Sequence, residues 1–364
     1  MRKAISKQLS FCMTLAILFF SCQKEEIEVP PPVDPTPESK TIPIKLQSVV
    51  SIGSLIYDSI PAQFTITSWD MKNQAHVKDT TIAGKGTVLL PASHQRFQIK
   101  VSKWGMTDEM TIARADIDST ITYVLGGAKA AKKLMMEETF LLVQGEYQPS
   151  GKAVYSYGAK GLQHVTYYQK KPQFADLQLT MRHDYQYSGN NVVRINRIDS
   201  AEKLFGYTSF DYNPQGTRVT NIREVSPGGE TGAAVAYEAG GVVSIDYYFS
   251  NGQSMQYEMQ FRGGNRVQDI ARSSRGGSES GSYKYDTNIN PYAHMNMPNL
   301  FLSNLSRNNM IGQVKGYAGA YPVAEPYQFD YTYDADGYPI VLVKYFKNHF
   351  TGEFMYQTKT VFSY

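Results

Sequence analysis

Tyr331-Thr332-Tyr333-Asp334-Ala335-Asp336-Gly337-Tyr338-Pro339-Ile340-Val341-Leu342-Val343 reads as a complete hairpin unit. On an extended chain, Tyr331 and Tyr333 point the same way because side chains alternate with period two. Asp334 to Gly337 is a polar turn, and its glycine supplies the φ > 0 position that tight hairpin turns require. The β-branched return arm favours a pleated, half-buried surface.

The unit recurs upstream. Tyr155-Ser156-Tyr157 precedes Gly161, and Tyr185-Gln186-Tyr187 precedes Gly189-Asn190-Asn191. Phe210-Asp211-Tyr212 precedes Asn213-Pro214-Gln215-Gly216, Tyr237 precedes Gly240-Gly241, and Phe261 precedes Gly263-Gly264. Return arms such as Val192-Val193-Arg194-Ile195 follow. Hairpins repeated every ~25–30 residues form an antiparallel meander, a curved sheet or barrel-like body. Its alternate aromatics should form cross-strand rows.

Composition divides the chain ahead of this meander. Trp69 and Trp104, the only tryptophans, lie between 41 and 127, whereas 25 of the 27 tyrosines lie after 127. Two domains are expected, 41–127 and 128–364, each long enough to bury a core. In the first, Ala62–Trp69, Arg96–Val101 and Thr120–Val124 alternate apolar and polar residues, and turn signals such as Ala83-Gly84-Lys85-Gly86 separate the runs. About seven short strands at this spacing favour a β-sandwich. Between the domains, Ala128–Met136 contains helix formers and Thr139–Val143 resembles a strand, so the stretch reads as a linker entering the first strand of the meander. The expected fold class is therefore all-β.

The N-terminus reads as an address. Arg2, Lys3 and Lys7 precede an apolar run from Phe11 to Phe20, then Ser21-Cys22 and the polar Gln23-Lys24-Glu25-Glu26. The run is about ten residues, too short to span a bilayer, which needs roughly 20. It has the form of a secretory signal over 1–21. Five prolines between Ile27 and Lys40 make 22–40 an extended, semi-rigid tether. Loss of the leader removes three basic residues and leaves 33 basic against 33 acidic. No basic field remains to recruit nucleic acid. Cys12 lies in the leader and Cys22 is the other cysteine, so no disulfide can form within the mature chain.

Several of these stretches carry resemblances. Leu18-Phe19-Phe20-Ser21-Cys22 resembles a bacterial lipobox, which implies cleavage before Cys22 and diacylglycerol attachment to its sulfur. Gln23–Glu26 resembles the acidic export tag of Bacteroidetes surface lipoproteins. These resemblances imply an outer-membrane lipoprotein displayed at the cell surface, with a periplasm-facing orientation as the alternative. Gly86–Leu90 and Ile99–Gly105 loosely resemble Ig-like or transthyretin-like modules. The hairpin series, the segment Asn296–Asn309 and the closing Tyr331–Ile340 resemble a Bacteroidetes domain family of unknown function with a porin-like fold. That resemblance covers about 135–364 and carries no catalytic residues.

The search for chemistry is negative. His76, His94, His164, His183, His294 and His349 are dispersed, without metal-ligand spacing. No nucleophile elbow, P-loop or dinucleotide fingerprint is present, and no cofactor is implied. Ser200-Ala201-Glu202-Lys203 fits Ser-x-x-Lys without its partner motifs. Asp334-Ala335-Asp336-Gly337 superficially resembles a calcium loop, but Tyr338-Pro339-Ile340 follows in place of further oxygen ligands. Asp79-Thr80-Thr81 and Asp118-Ser119-Thr120 resemble a three-residue O-glycosylation pattern of exported Bacteroidetes proteins.

Charged residues of both parities in Arg194-Ile195-Asn196-Arg197, and the Arg223-Glu224 pair, disfavour a lipid-facing row at roughly 2–4 kcal/mol per charge near the midplane. The alternation of Tyr356, Phe362 and Tyr364 at the end of the chain is a pattern of outer-membrane barrels. The expectation is a non-catalytic, lipid-anchored envelope module that binds or scaffolds a polysaccharide or a surface protein, held to the membrane through Cys22. The alternatives are a surface hydrolase acting on glycan or protein, and a porin-like outer-membrane barrel.

Overall fold

The structure is a computed structural model that describes residues 40–58, 60–114, 122–295, 306–318, 323–348 and 351–364. Cys22, the leader, the tether, Asp118–Thr120, Asn296–Leu305 and His349 lie outside the described residues.

The chain is all-β, with two small sheets followed by a closed 16-stranded antiparallel barrel. The small sheets use β1 (Thr41–Ile52), β2 (Leu55–Tyr57), β3 (Pro61–Trp69), β4 (Ala75–Ala83), β5 (Lys85–Pro91), β6 (Arg96–Lys103), β7 (Met106–Ala113) and β8 (Thr122–Lys129). β1 pairs antiparallel with β2 and β5 and parallel with β8, while the other sheet runs β4-β3-β6-β7. Alternation decides what lies between the sheets: Ile44 and Leu46 from β1, Phe64 and Ile66 from β3, and Phe97, Ile99 and Val101 from β6 pack into one core. Ala128 and Lys129 end β8 in extended conformation, so the helix formers there build no helix.

The barrel begins with β9 (Met136–Val143), β10 (Glu146–Gly158), β11 (Gly161–Lys170), β12 (Leu177–Ser188), β13 (Asn191–Asp199) and β14 (Leu204–Tyr212). It continues through β15 (Val219–Ser226), β16 (Gly229–Tyr237), β17 (Val242–Phe249), β18 (Ser254–Arg262) and β19 (Asn265–Ser273). It ends with β20 (Ser278–Ile289), β21 (Asn308–Ala318), β22 (Val323–Tyr333), β23 (Pro339–Lys347) and β24 (Phe354–Ser363), and β24 pairs with β9 to close it. Closure leaves no free edge in the meander.

The repeated sequence unit has a repeated geometry. The ladder slips by one residue beside the second aromatic at Tyr157, Tyr187, Tyr212, Phe261 and Tyr333. Each slip is a β-bulge that skips a residue on the return strand. Residues three apart on that strand therefore share the inner face. Leu162 and Val165, Val192 and Ile195, and Val219 and Ile222 pack inward in this way. A second regularity follows. The Tyr157, Tyr187, Tyr212, Tyr285 and Tyr364 hydroxyls donate to the carbonyls of Leu134, Leu162, Val192, Arg266 and Pro339 at 2.7–2.9 Å. Tyr237 hydrogen-bonds the Val219 backbone. Tyr187, Tyr212 and Tyr237 thus tie their own hairpins to the ones before.

The sandwich docks on the end of the barrel that carries these tyrosines. Val50, Ile52, Tyr57, Ile60 and Trp104 form one buried cluster with Ile289 and Tyr338. The Tyr57 hydroxyl donates to the Arg307 carbonyl at 3.2 Å, and Arg307 Nη1 donates to the Ile56 carbonyl at 2.9 Å. Lys132 pairs with Asp334 at 2.7 Å and with Asp336 at 2.6 Å, and Lys129 also pairs with Asp336.

Candidate binding site in the barrel lumen

Strand directions alternate, so the turns after β10, β12, β14, β16, β18 and β22 all lie at the sandwich end. The inner half of the lumen behind those turns is filled. Val192, Phe210, Ile222, Val235, Ile245 and Met259 form one buried cluster, and Leu134, Tyr155, Leu162, Val165, Met295 and Phe362 form a second.

Several polar groups in this filled half pair with one another, as buried polar groups usually do. Tyr155 donates to Glu137 Oε1 at 2.6 Å, and burial raises the Glu137 carboxyl above the usual carboxylate range. The Tyr283 and Tyr257 hydroxyls donate to Asp269 Oδ2 at 2.6 and 3.1 Å. Arg266 pairs with the same oxygen at 3.3 Å and lies 4.6 Å from the Tyr283 ring centre.

The distal half is different. Continuing the inner register outward gives Arg197, Glu224, Tyr247, Phe249, Glu279, Lys315, Tyr327, Phe329 and Lys344. Solvent reaches them: the Glu224 side chain is 48 % exposed and that of Glu279 is 43 % exposed. Arg197 pairs with Glu224, and Lys315 with Glu279 at 3.0 Å. Tyr247 and Phe249 lie near-parallel with centroids 6.3 Å apart. The Lys344 ammonium lies 4.8 Å from the Tyr327 ring centre and 5.9 Å from that of Phe329. Burial and the nearby Lys315 charge push the Lys344 pKa down. Burial works against the charge on Lys315 too, but its Glu279 partner outweighs burial and raises it. The distal half of the lumen thus has aromatic and charged walls that solvent reaches.

The outer wall is polar along much of its circuit. Arg182 pairs with Asp184 at 2.8 Å, beside His164 at 2.9 Å from the same carboxylate. Arg223 pairs with Glu230 at 2.6 Å, and the Arg194 guanidinium lies 3.7 Å from the Tyr207 ring centre. Outside β9 to β12, two bulges bend the wall around a cavity of about 700 Å³ lined by Glu138, Lys152, Val154, Tyr168, Lys170 and Asp176, among others.

No family model matches the chain, and no curated protein matches it. Among solved structures, a porin-like protein from Bacteroides vulgatus is similar at 12 % identity and a TM-score of 0.40, covering 64 % of this chain and 99 % of that one. A porin-like protein from Bacteroides uniformis is similar at 10 % identity and a TM-score of 0.42, covering 63 % and 96 %. The closed barrel fits the porin-like alternative in architecture. No residue role transfers at such distances.

Far apart in spacing, His76 and His94 nevertheless meet in the fold, with ring centroids 4.8 Å apart. His94 Nδ1 lies 2.8 Å from Ser68 Oγ, His183 Nε2 lies 3.1 Å from Met181 Sδ, and His294 Nε2 lies 3.3 Å from the Tyr57 hydroxyl. Ser200–Lys203 is a hairpin turn in which Asp199 Oδ1 accepts from the Ala201 and Lys203 amides at 2.9 Å. Asp334 and Asp336 are the two acids that grip the sandwich-side lysines. Asp330 is exposed and accepts from Gln328 at 2.8 Å. Asp79 is exposed on β4 and accepts from Thr65. The lumenal charges were not singled out from sequence. Their only linear signal is a charge placed two residues from an aromatic, as in Lys315 and Tyr317 or Lys344 and Phe346.

Proposed function

We propose that this chain is a non-catalytic binding module of the bacterial envelope, with the barrel as a blind receptor cup for a glycan or protein ligand and the sandwich as its base. The observation that carries the reading is the division of the lumen. Buried side chains fill the sandwich half, while solvent reaches the ringed and charged distal half. Ligand sites combine apolar walls with a few placed polar groups, and tyrosine faces suit the C–H faces of sugars. Anchoring through lipid at Cys22 and display at the outer membrane rest on the sequence alone. A thermal-shift screen of the chain against host and bacterial polysaccharides tests the reading. A ligand at 100 times its dissociation constant should stabilise by about 2.7 kcal/mol, and a folded chain shifted by no ligand would count against it.

The second reading is a porin-like outer-membrane barrel, favoured by the closed ring of 16 strands. Charged pairs such as Arg182–Asp184 on the outer wall and the filled inner half favour the cup. Planar-bilayer recording separates the two: stepwise conductance supports a porin, and stable solubility without detergent and without conductance supports the cup.

A further inference from the structure

We infer that the distal lumen holds a carboxylate-bearing saccharide, with its acid on Lys344 and its ring against the Tyr327 and Phe329 faces. This rests on the reading of the barrel as a binding cup and names its ligand class.

Three adjacent strands build the site. Register sets Phe329 on β22 opposite Lys344 on β23, and Tyr327 one inward step further out. On β21, Gln313 is opposite Tyr327, and Lys315 is the next inner-face residue. The cations differ in their company. Lys315 is matched by Glu279 at 3.0 Å and Arg197 by Glu224. Among the described residues, Lys344 faces the two rings and no carboxylate lies within ion-pair distance of it. Unlike the buried Arg266, which is answered by Asp269, Lys344 is a half-buried charge with no counter-charge among the described residues. A cation partly removed from water and set near a second cation gains from an incoming anion. The rings select the rest of the ligand. They hold the ammonium by cation–π attraction, and they present apolar faces that a sugar ring can cover and a bare inorganic anion cannot. A neutral sugar would leave Lys344 unanswered.

The test is calorimetric titration of the full chain with an oligogalacturonide, a homopolymer of a uronic acid, and with its methyl ester. The acid should bind and the ester should bind at least about tenfold more weakly, a difference of about 1.4 kcal/mol. Lys344→Met should lose a similar factor, while Lys344→Arg keeps the charge and should stay within about threefold of the parent. Inorganic phosphate at millimolar concentration should not displace the acid. Equal affinity for acid and ester overturns the inference without any variant, so a folding failure of Lys344→Met leaves it testable. Displacement by phosphate overturns it too, by making the site a general anion site. Binding of the ester or of a neutral glucan, indifferent to Lys344→Met, would sink the acid class and leave the cup standing. Binding of no saccharide by the folded chain would sink both.

Discussion

The Tyr187 hydroxyl on β12 donates to the Leu162 carbonyl on β11 at 2.8 Å, bridging one hairpin to the last. The contact depends on backbone as well as on tyrosine. Gly161 sits at φ +130°, and a Cβ there would meet the Tyr187 hydroxyl at 3.0 Å. Tyr212 repeats the relationship with Val192, and Tyr364 with Pro339.

Tyr187→Phe should therefore cost about 1 kcal/mol, the net worth of a part-buried hydrogen bond, with the barrel otherwise intact. The reverse change has a natural site. Phe261 occupies the latch position beside its own bulge but has no hydroxyl. Phe261→Tyr should place one near the Val243 carbonyl and stabilise by about 0.5–1 kcal/mol. Urea denaturation of both variants checks the pair. A loss on Phe261→Tyr would mean that the latch geometry does not extend to that hairpin.

Gly337 closes the β22–β23 turn at φ +83°, and a Cβ there would fall inside the Trp104 indole. Gly337→Ala should cost about 2 kcal/mol or more, because left-handed strain adds to the clash. Trp104 fluorescence reports on the junction directly. An Ala variant with parental stability and an unchanged emission maximum would show that the turn can move away from the sandwich.

His294 lies against Tyr57 and Tyr338, and burial pulls its pKa down to about 4. The neutral ring is the native form, and the unfolded chain takes up the proton first, near pH 6.5. The His294 contribution is thus complete above about pH 6.5 and is lost as pH falls toward 4. Between pH 7 and pH 5 it should remove about 2 kcal/mol, and His294→Gln should flatten that part of the profile. His183 is lowered to about 4 in the same way, first by burial and then by Arg197. A stability curve flat from pH 7 to pH 5 would contradict buried neutral histidines at both sites.

Asp334 and Asp336 are occupied by lysines, and Asp334 Oδ1 also accepts from the Asp336 and Tyr338 amides at 2.9 Å. Hydrogen bonds from Lys129 and Lys132 hold the Asp336 carboxyl below its usual range. Millimolar calcium or a chelator should leave the melting temperature unchanged, whereas Asp334→Ala should lower it by freeing the turn amides and removing one of the two carboxylates on Lys132. Stabilisation by calcium would reinstate the calcium-loop reading that the linear motif suggested.

The sequence disclosed one half of the barrel and concealed the other. All the aromatic–turn units read from it lie at the sandwich end, since that is where aromatics are buried and turns are tight. Gly263-Gly264 is one such turn, with φ of +56° and +80°. Of the distal turns, 171–176 carries no comparable pattern, while 250–253 follows Tyr247 and Phe249 with Asn251-Gly252, Gly252 at φ +78°, and went unread as a unit. The bulges were equally silent. In Val192-Val193-Arg194-Ile195, every residue is compatible with a strand, and only pairing with Tyr187 and Gln186 reveals that Val193 is skipped.

What the sequence by itself determined is the all-β class, the antiparallel hairpin series and the absence of a catalytic motif. These depend on local chemistry: period-two burial, φ > 0 at turns, and residue types at fixed spacing. Closure of the sheet into a ring, the direction each charge faces and the meeting of Lys344 with Tyr327 were decided only in three dimensions. A one-residue slip in register exchanges the inner and outer faces of a strand, and register is set by pairing between strands rather than by any single strand's composition.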